Sequence, residues 1–292
     1  MTFAEKLKSL RKENGMSQET LAEKLGVSRQ AVTKWETELG LPDIDNMVAI
    51  SKLFGITLDD FLSEKVETAV SKGYLYESKT EYDIDGNKRF DIKLGGAYSL
   101  RVIGSDGEKV MVLLASNDIP TLESDFKVKI DDVRGRIDVD IKRKGNMTEA
   151  RAKESLIIEL LVPNQYASNL ELESNCNELR LNNIACEKVE FDGKVQKVFI
   201  DSAESTLEID CNLDMELSVN SLKGALDINQ ISSTSRLTVP KEFSFRSVLK
   251  GISNSISYEC DGDITEDFSD PDSENIIEFN GIKSELVIAR EA

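Results

Sequence analysis

No histidine occurs anywhere in this 292-residue chain. That removes the commonest general base, the commonest metal-ligating nitrogen and any Ser-His-Asp arrangement at once. The four cysteines, Cys176, Cys186, Cys211 and Cys260, form no C-x-x-C pair. Zinc-site spacing is therefore missing, and reduced structural thiols are expected. No phosphate-binding glycine loop, G-x-S-x-G or dinucleotide fingerprint appears. No metal, no cofactor and no enzymatic activity is expected. Long apolar runs are absent too: the longest, around Leu156 to Val162, is broken by Glu159, far short of a membrane span. The N-terminal MTFAEKLKSLRKENG is charged throughout and has no apolar core of the kind a secretory signal needs. A cytoplasmic location without membrane contact is expected.

What the chain does have is acid. Its formal net charge is −18, which opposes nonspecific nucleic-acid binding by the chain as a whole. The excess is uneven. Residues 1–65 hold nine Lys and Arg against eleven Asp and Glu, a net of −2, so −16 falls on the remainder. The length suits two domains, each able to bury a core.

Residues 1–65 have helical periodicity. Phe3, Leu7 and Leu10 recur at i, i+4 and i+7. Ser17 is placed to cap a second helix carrying Thr20, Leu21, Ala22 and Leu25, with Gly26 as its stop. Ser28 is placed to cap a third, Arg29 to Glu36. Pro42 and Asp43 open a fourth, with Ile44, Val48, Ile50, Leu53 and Phe54, ended by Gly55. Thr57 caps a short fifth with Leu58, Phe61 and Leu62. Connections this short belong to a compact helical domain.

Residues 66–80 are polar and mixed, and read as a linker or a short docking segment. From residue 81 to 292 the period changes to two, as in FDIKL, KVKIDDV, RIDVDIK and SLIIELLV. From Leu170 an internal repeat sets in: LELES (170–174), LRLNN (179–183), VEFDG (189–193), VFIDS (198–202), LEIDC (207–211), LSVNS (217–221), LDINQ (226–230) and LTVP (237–240). Unit starts 9 to 11 residues apart predict short strands stacked as a β-solenoid, with a β-sandwich as the alternative. The strands around Phe243–Val248, Ser255–Glu259, Ile276–Phe279 and Glu285–Ala289 are expected to finish and cap it. The expected fold class is thus α plus all-β.

Asp83, Asp85, Gly86 and Asn87 resemble a calcium loop faintly, but the glycine and glutamate spacing fails. An Asp-Gly hairpin turn explains them better. The loops at 261–267 and 269–274 are further acidic turns. Asp138 and Asp140 alternate outward and read as a solvated face that discourages edge pairing.

Two helices joined by a Gly-containing turn, the second with a polar outer face, form a helix-turn-helix arrangement. Leu21, Ala22, Leu25, Val27, Val32 and Trp35 would lock the pair. Arg29, Gln30, Thr33 and Lys34 would then project together. Arg suits guanine and Gln suits adenine in the major groove. Gln18 and Ser28, at helix starts, suit backbone phosphates. The stretch MSQETLAEKLGVSRQAVTKWETELGLPDIDNMVAISKLFGITLDDFL resembles the helix-turn-helix domain of the Cro/C1-type (XRE) repressor family, over roughly residues 3–65. That resemblance implies a five-helix domain that binds a double-stranded DNA operator, usually as a dimer. It implies that Gln18 meets phosphate and that Arg29, Gln30, Thr33 and Lys34 face bases. It also implies a structural salt bridge between Arg11 and Glu36. The loop after the third helix departs from many relatives: Thr37, Glu38, Leu39, Gly40 and Leu41 carry no positive charge. Phosphate contacts then fall to Gln18, Ser28 and Lys34, with Lys6 or Lys52 in reserve. The spaced strands resemble, by rhythm and composition, the adhesin-like β-solenoid domain of the DUF4097 type, which implies a stacked β domain. The expected function is a DNA-binding transcriptional regulator, a repressor, with the β domain for dimerisation or for sensing a protein or small-molecule effector. The alternative is a regulatory scaffold that binds protein partners.

Overall fold

The computed structural model of the chain describes residues 7, 8, 10–12, 16–37, 40, 42–54, 73–260 and 262–290. The chain divides into two compact units, Met1–Ala69 and Val70–Ala292. Among the described residues no helix is long and apolar enough to cross a membrane.

The first unit is helical. Helical residues 7, 8 and 10–12 are followed by α1 (Gln18–Leu25), α2 (Arg29–Glu36) and α3 (Ile44–Phe54). Each helix starts where its sequence supplies a cap. Ser17 Oγ accepts the Thr20 amide at 3.0 Å, Ser28 Oγ accepts the Ala31 amide at 3.2 Å, and Asp43 accepts the Asn46 amide at 2.9 Å. Gly26 ends α1 in the left-handed region, at φ 68°, which a glycine adopts without a Cβ clash. Leu7, Leu21, Ala22, Val32, Trp35 and Ile50 make the buried core. Phe3, Lys6, Gly55, the expected fifth helix with Thr57, Leu58, Phe61 and Leu62, and the linker residues 66–72 lie outside the described residues.

The second unit is built from two parallel stacks of strands. The first stack runs β5 (Arg136–Arg143), the first half of β2 (Lys88–Ser105), the first half of β7 (Ala167–Asn182), β8 (Ile184–Lys194), β10 (Ala203–Asp210), β12 (Leu222–Ile231), β17 (Ile276–Ile282) and β14 (Arg246–Ile252). The second runs β6 (Ile157–Pro163), the second halves of β2 and β7, β9 (Lys197–Ile200), β11 (Glu216–Val219), β13 (Thr234–Val239), β18 (Glu285–Arg290) and β15 (Ser255–Cys260). Antiparallel strands flank them. β4 (Phe126–Val133) lies on β5, β3 (Lys109–Ser116) on β6, β1 (Tyr76–Asp83) on β3, and β16 (Asp263–Thr265) on β15. Two short helices, α4 (Leu122–Asp125) and α5 (Glu149–Ser155), complete the unit.

The sequence repeat maps onto this directly, with one change of period. Leu170, Val189, Leu207, Leu226 and Ile277 stand in register in the first stack. Leu179, Val198, Leu217, Leu237 and Ile288 do so in the second. Consecutive units therefore occupy opposite stacks, and one coil consumes two of them. These apolar positions point inward and form a single core between the stacks. The ladders through the repeat are parallel, so the unit is a β-solenoid and not an antiparallel sandwich.

Three local expectations change. The strand β1 begins at Tyr76, inside the stretch read as linker. It lies on an outer edge, is mostly exposed, and so carries no apolar alternation to betray it. The Asp85-Gly86 turn does not join a hairpin, because β1 pairs with β3 rather than with β2. Finally, β17 and β18 do not cap the solenoid. They insert between the coil of β12 and β13 and the coil of β14 and β15.

Outward from the first stack stands a column of seven acids, one per strand: Asp138, Asp91, Glu171, Glu190, Glu208, Asp227 and Glu278. Neighbouring strands are about 4.8 Å apart, so cations are threaded through it. Lys188 meets Glu190 at 2.5 Å and Glu208 at 2.6 Å, Arg89 meets Glu171 at 2.9 Å, and Lys250 meets Glu278 at 2.6 Å. Burial, together with Glu278 and Glu208, still pushes the Asp227 carboxyl above its ordinary value.

Candidate nucleic-acid interface

α2 has two unlike faces. Val32, Trp35 and Glu36 are buried, and Val32 and Trp35 join the core with Leu21 and Ala22 of α1. Ala22 is small where the two helices meet. Opposite, Arg29, Gln30 and Lys34 are exposed, as is the capping Ser28. Thr33 is half-buried, and its Oγ1 contacts the Arg29 carbonyl at 3.0 Å and Gln18 Oε1 at 3.2 Å. The turn through Gly26 and Val27 is held by the Val27 amide, which donates to the Ala22 carbonyl at 3.0 Å.

Behind this face lies a polar network that fixes its geometry. Arg11 forks onto Glu36, with Nε to Oε1 at 2.6 Å and Nη2 to Oε2 at 2.9 Å. Arg11 Nη1 also donates to the Met16 carbonyl at 2.8 Å. Glu36 Oε2 accepts from Gln18 Nε2 at 2.8 Å, and Gln18 Oε1 accepts from Thr33. Burial alone would raise the Glu36 carboxyl, but the hydrogen bonds from Arg11 and Gln18 and the Arg11 charge outweigh it, and it lies below its ordinary value. The Arg11 guanidinium is held above its own by the same hydrogen bond.

The bridging role of Gln18 has no counterpart in the sequence pattern, which marks only its place at a helix start. Its carbonyl and one amide hydrogen are committed inward. Its main-chain amide, at the first position of α1, is one of the amides that the helix itself leaves unpaired. Arg29 lies 4.0 Å from Glu19, both well exposed, a contact too solvated to restrain the side chain by much. The loop after α2 is described at Thr37 and Gly40 only; Glu38, Leu39 and Leu41 lie outside the described residues.

The second unit holds an open groove of about 590 Å³ along the solenoid. Asp210, Asn229 and Asn280 line one side, and Ile231, Ile252 and Ile282 the other. At its base Gln230 is 2% exposed and donates to the Cys211 and Leu213 carbonyls, while its Oε1 has no partner. Composition and repeat rhythm gave no sign of this groove, because its polar residues come from separate coils.

The helix-turn-helix family model matches residues 7–61. Over 63 residues, 22% of this chain, the sequence is 48% identical to the HTH-type transcriptional activator BcrR of Enterococcus faecalis, and the match spans 31% of that protein. Over 82 residues it is 34% identical to the HTH-type transcriptional regulator YqaE of Bacillus subtilis, spanning 27% of this chain and 71% of that one. The chain thus covers less than a third of BcrR. Among solved structures, a candidate cell-adhesion protein of Clostridium sporogenes aligns with 74% of this chain and 100% of its own, at a TM-score of 0.37 and 12% identity.

Proposed function

This chain belongs to the helix-turn-helix family of transcriptional regulators, and on that premise we propose that it recognises a specific double-stranded operator through the exposed face of α2. The observation that carries the reading is the division of that helix. Its inner face is fixed by Trp35 and Val32, and its outer face offers Arg29, Gln30 and Lys34 free of the core. Arg29 and Gln30 read base edges, Thr33 supports them, and Lys34 meets phosphate. Ser28 and the Gln18 main-chain amide add contacts at helix starts. Arg11 and Glu36 stay structural.

The wider roles are proposals of the same kind. The protein acts as a homodimer, and its β unit carries the dimer contact and the sensing of an effector, for which the groove beside Gln230 is the suited place. We read the sign of control as repression, because a dimer bound across a promoter excludes polymerase with no further contact. The chain is read as a binding protein, not an enzyme. The acid column favours a second reading, a scaffold whose units bind basic protein partners.

Selection of genomic fragments by the purified full-length protein at two salt concentrations tests the first reading. Enrichment of a palindromic site, lost in an Arg29→Ala, Gln30→Ala variant and weakened by salt as counterions are released, supports it. Enrichment that survives in that variant removes α2 as the reader, and no enrichment at either salt favours the scaffold.

A further inference from the structure

We propose that two copies of this chain join through the free edge of β14, in antiparallel register centred on Leu249, so that their solenoids continue into one another. The proposal deepens the dimer named above and rests on the regulator reading only for its purpose, not for its geometry.

The solenoid has free edges at both ends, and they differ. At one end the outer strands are β4 and β1. Their charged positions alternate along one face, Lys127, Lys129 and Asp131 on β4 and Glu77, Lys79, Glu81 and Asp83 on β1, all half-buried or exposed. Charged, polar edges discourage further pairing. At the other end the second stack is closed by the β15–β16 hairpin. The first stack ends on β14, whose one ladder among the described residues is with β17.

β14 is also where the core runs out uncovered. Leu249 stands in register with Phe279, which is fully buried, so it occupies a core position. Yet Leu249 is 49% exposed. Phe268 packs edge-on to Phe245 and Tyr258. The Asp270 amide donates to the Phe245 carbonyl at 2.7 Å, and Ser269 Oγ meets Ser247 Oγ at 3.2 Å. This segment therefore covers the edge up to Ser247 and leaves Leu249 open. Ile264 of β16 is 83% exposed at the same end. An apolar core position left in water beside an unpaired row of amides and carbonyls is incomplete as a monomer surface.

The residues of β14 suit a second copy of themselves. Antiparallel pairing about a two-fold axis sets Leu249 against Leu249 of the partner subunit, and core position meets core position. Ser247 then faces Gly251, Val248 faces Lys250, and Arg246 faces Ile252. No like charges stand directly opposite, which would otherwise disfavour the pair. Lys250 brings its own counterion, Glu278 at 2.6 Å. The acidic segment from Asp263 to Glu274 stands at this same end, so like charge opposes the pairing and the dimer should tighten as salt screens it.

The test uses the full-length protein. Sedimentation velocity across micromolar concentrations should show a dimer, and Leu249→Arg should raise its dissociation constant at least tenfold with the β-sheet circular dichroism unchanged. In a Cys260→Ser background, Leu249→Cys should form a disulfide-linked dimer under mild oxidation, while Leu75→Cys, at another exposed position, should not. The cross-link decides the matter even where Leu249→Arg fails to fold. A monomer at these concentrations, a dimer that survives in a folded Leu249→Arg protein, or no preferential cross-link at Leu249 overturns the proposal. A Leu249-dependent dimer that selects no DNA leaves the pairing standing and sinks the regulator reading. Specific DNA binding by a protein that does not pair at Leu249 does the reverse.

Discussion

Arg11 and Glu36, 25 positions apart, meet in a two-pronged pair at 2.6 and 2.9 Å, and Glu36 passes the contact on to Gln18 at 2.8 Å. The pair therefore ties the helical turns before α1 to the end of α2, and sets the tilt at which α2 presents its outer face. Both side chains are largely withdrawn from water. Removing one leaves the other buried and uncompensated, which typically costs about 3–5 kcal/mol. Glu36→Ala should destabilise the helical unit by that order. Trp35 is the one tryptophan of the chain and sits in the core of this unit, so its fluorescence during urea unfolding isolates the effect from the β unit.

The same pair sets an acid limit. The folded Glu36 carboxyl lies below its ordinary value, so the folded unit binds fewer protons than the unfolded chain. Its contribution is fully present above the unfolded glutamate value of about 4.3 and fades as pH falls through the lower folded value. Urea midpoints followed at Trp35 should fall over that acidic window, and Glu36→Gln should flatten the dependence. An unchanged slope in Glu36→Gln would assign the acid sensitivity to other groups.

How much of this could be read from the sequence depends on what each feature is made of. The caps at Ser17 and Ser28, the Gly26 stop and the apolar set around Trp35 are local, and local spacing displays them. The stacked leucines are legible for the same reason, since Leu170, Val189 and Leu207 repeat at near-constant intervals. Spatial order is not local. The strands β17 and β18 show the same alternation as their neighbours, so nothing in them tells that they enter the middle of the stack. Gln18 illustrates the limit for the candidate site: its place at a helix start is visible, but its grip on Thr33 and Glu36 needs the helices already packed.

At some points within the ladders the backbones of adjacent coils approach too closely for a side chain. Gly224 has φ 132°, and a Cβ there would lie 2.3 Å from the Ser205 carbonyl oxygen of the adjacent coil. Gly135 also has positive φ, at 82°, but opens on free space. Gly224→Ala combines backbone strain with a clash against main chain that is itself in a ladder, and should cost roughly 2–4 kcal/mol. Gly135→Ala carries the left-handed penalty alone, about 1–2 kcal/mol. Thermal unfolding followed by far-ultraviolet circular dichroism should rank them in that order, and equal losses would mean that the coil yields at Gly224.

The acid column makes an opposite kind of site, one where removing charge helps. Asp227 lies between Glu208 and Glu278 in adjacent strands, and its carboxyl is pushed up by burial and by both neighbours. A raised carboxyl means that the folded state takes up the proton more readily than the unfolded chain. The repulsion therefore acts in full above the folded value and is relieved as pH falls through it towards the unfolded value. Asp227→Asn should stabilise the β unit at neutral pH by up to about 1 kcal/mol, and the gain should shrink in mild acid or high salt. A loss of stability at neutral pH would show that the Asp227 carboxylate is held by a favourable contact stronger than its neighbours' repulsion.

Salt separates the two kinds of contact proposed for α2. Each phosphate neutralised by a lysine adds about 0.9 to the slope of log affinity against log salt. The outer face of α2 offers few cations, Arg29 and Lys34, and Lys52 is exposed on α3, so the slope per monomer should be shallow. Lys34→Ala should lower it by about one contact and weaken all sequences alike. Arg29→Ala and Gln30→Ala should instead cost about 1–3 kcal/mol each against the preferred site and much less against others. Fluorescence anisotropy with the selected site and a scrambled duplex, at several salt concentrations, measures both quantities. If Lys34→Ala changed preference while Arg29→Ala changed only the slope, the roles of the two side chains would exchange, and α2 would lie in the groove with its other end towards the bases.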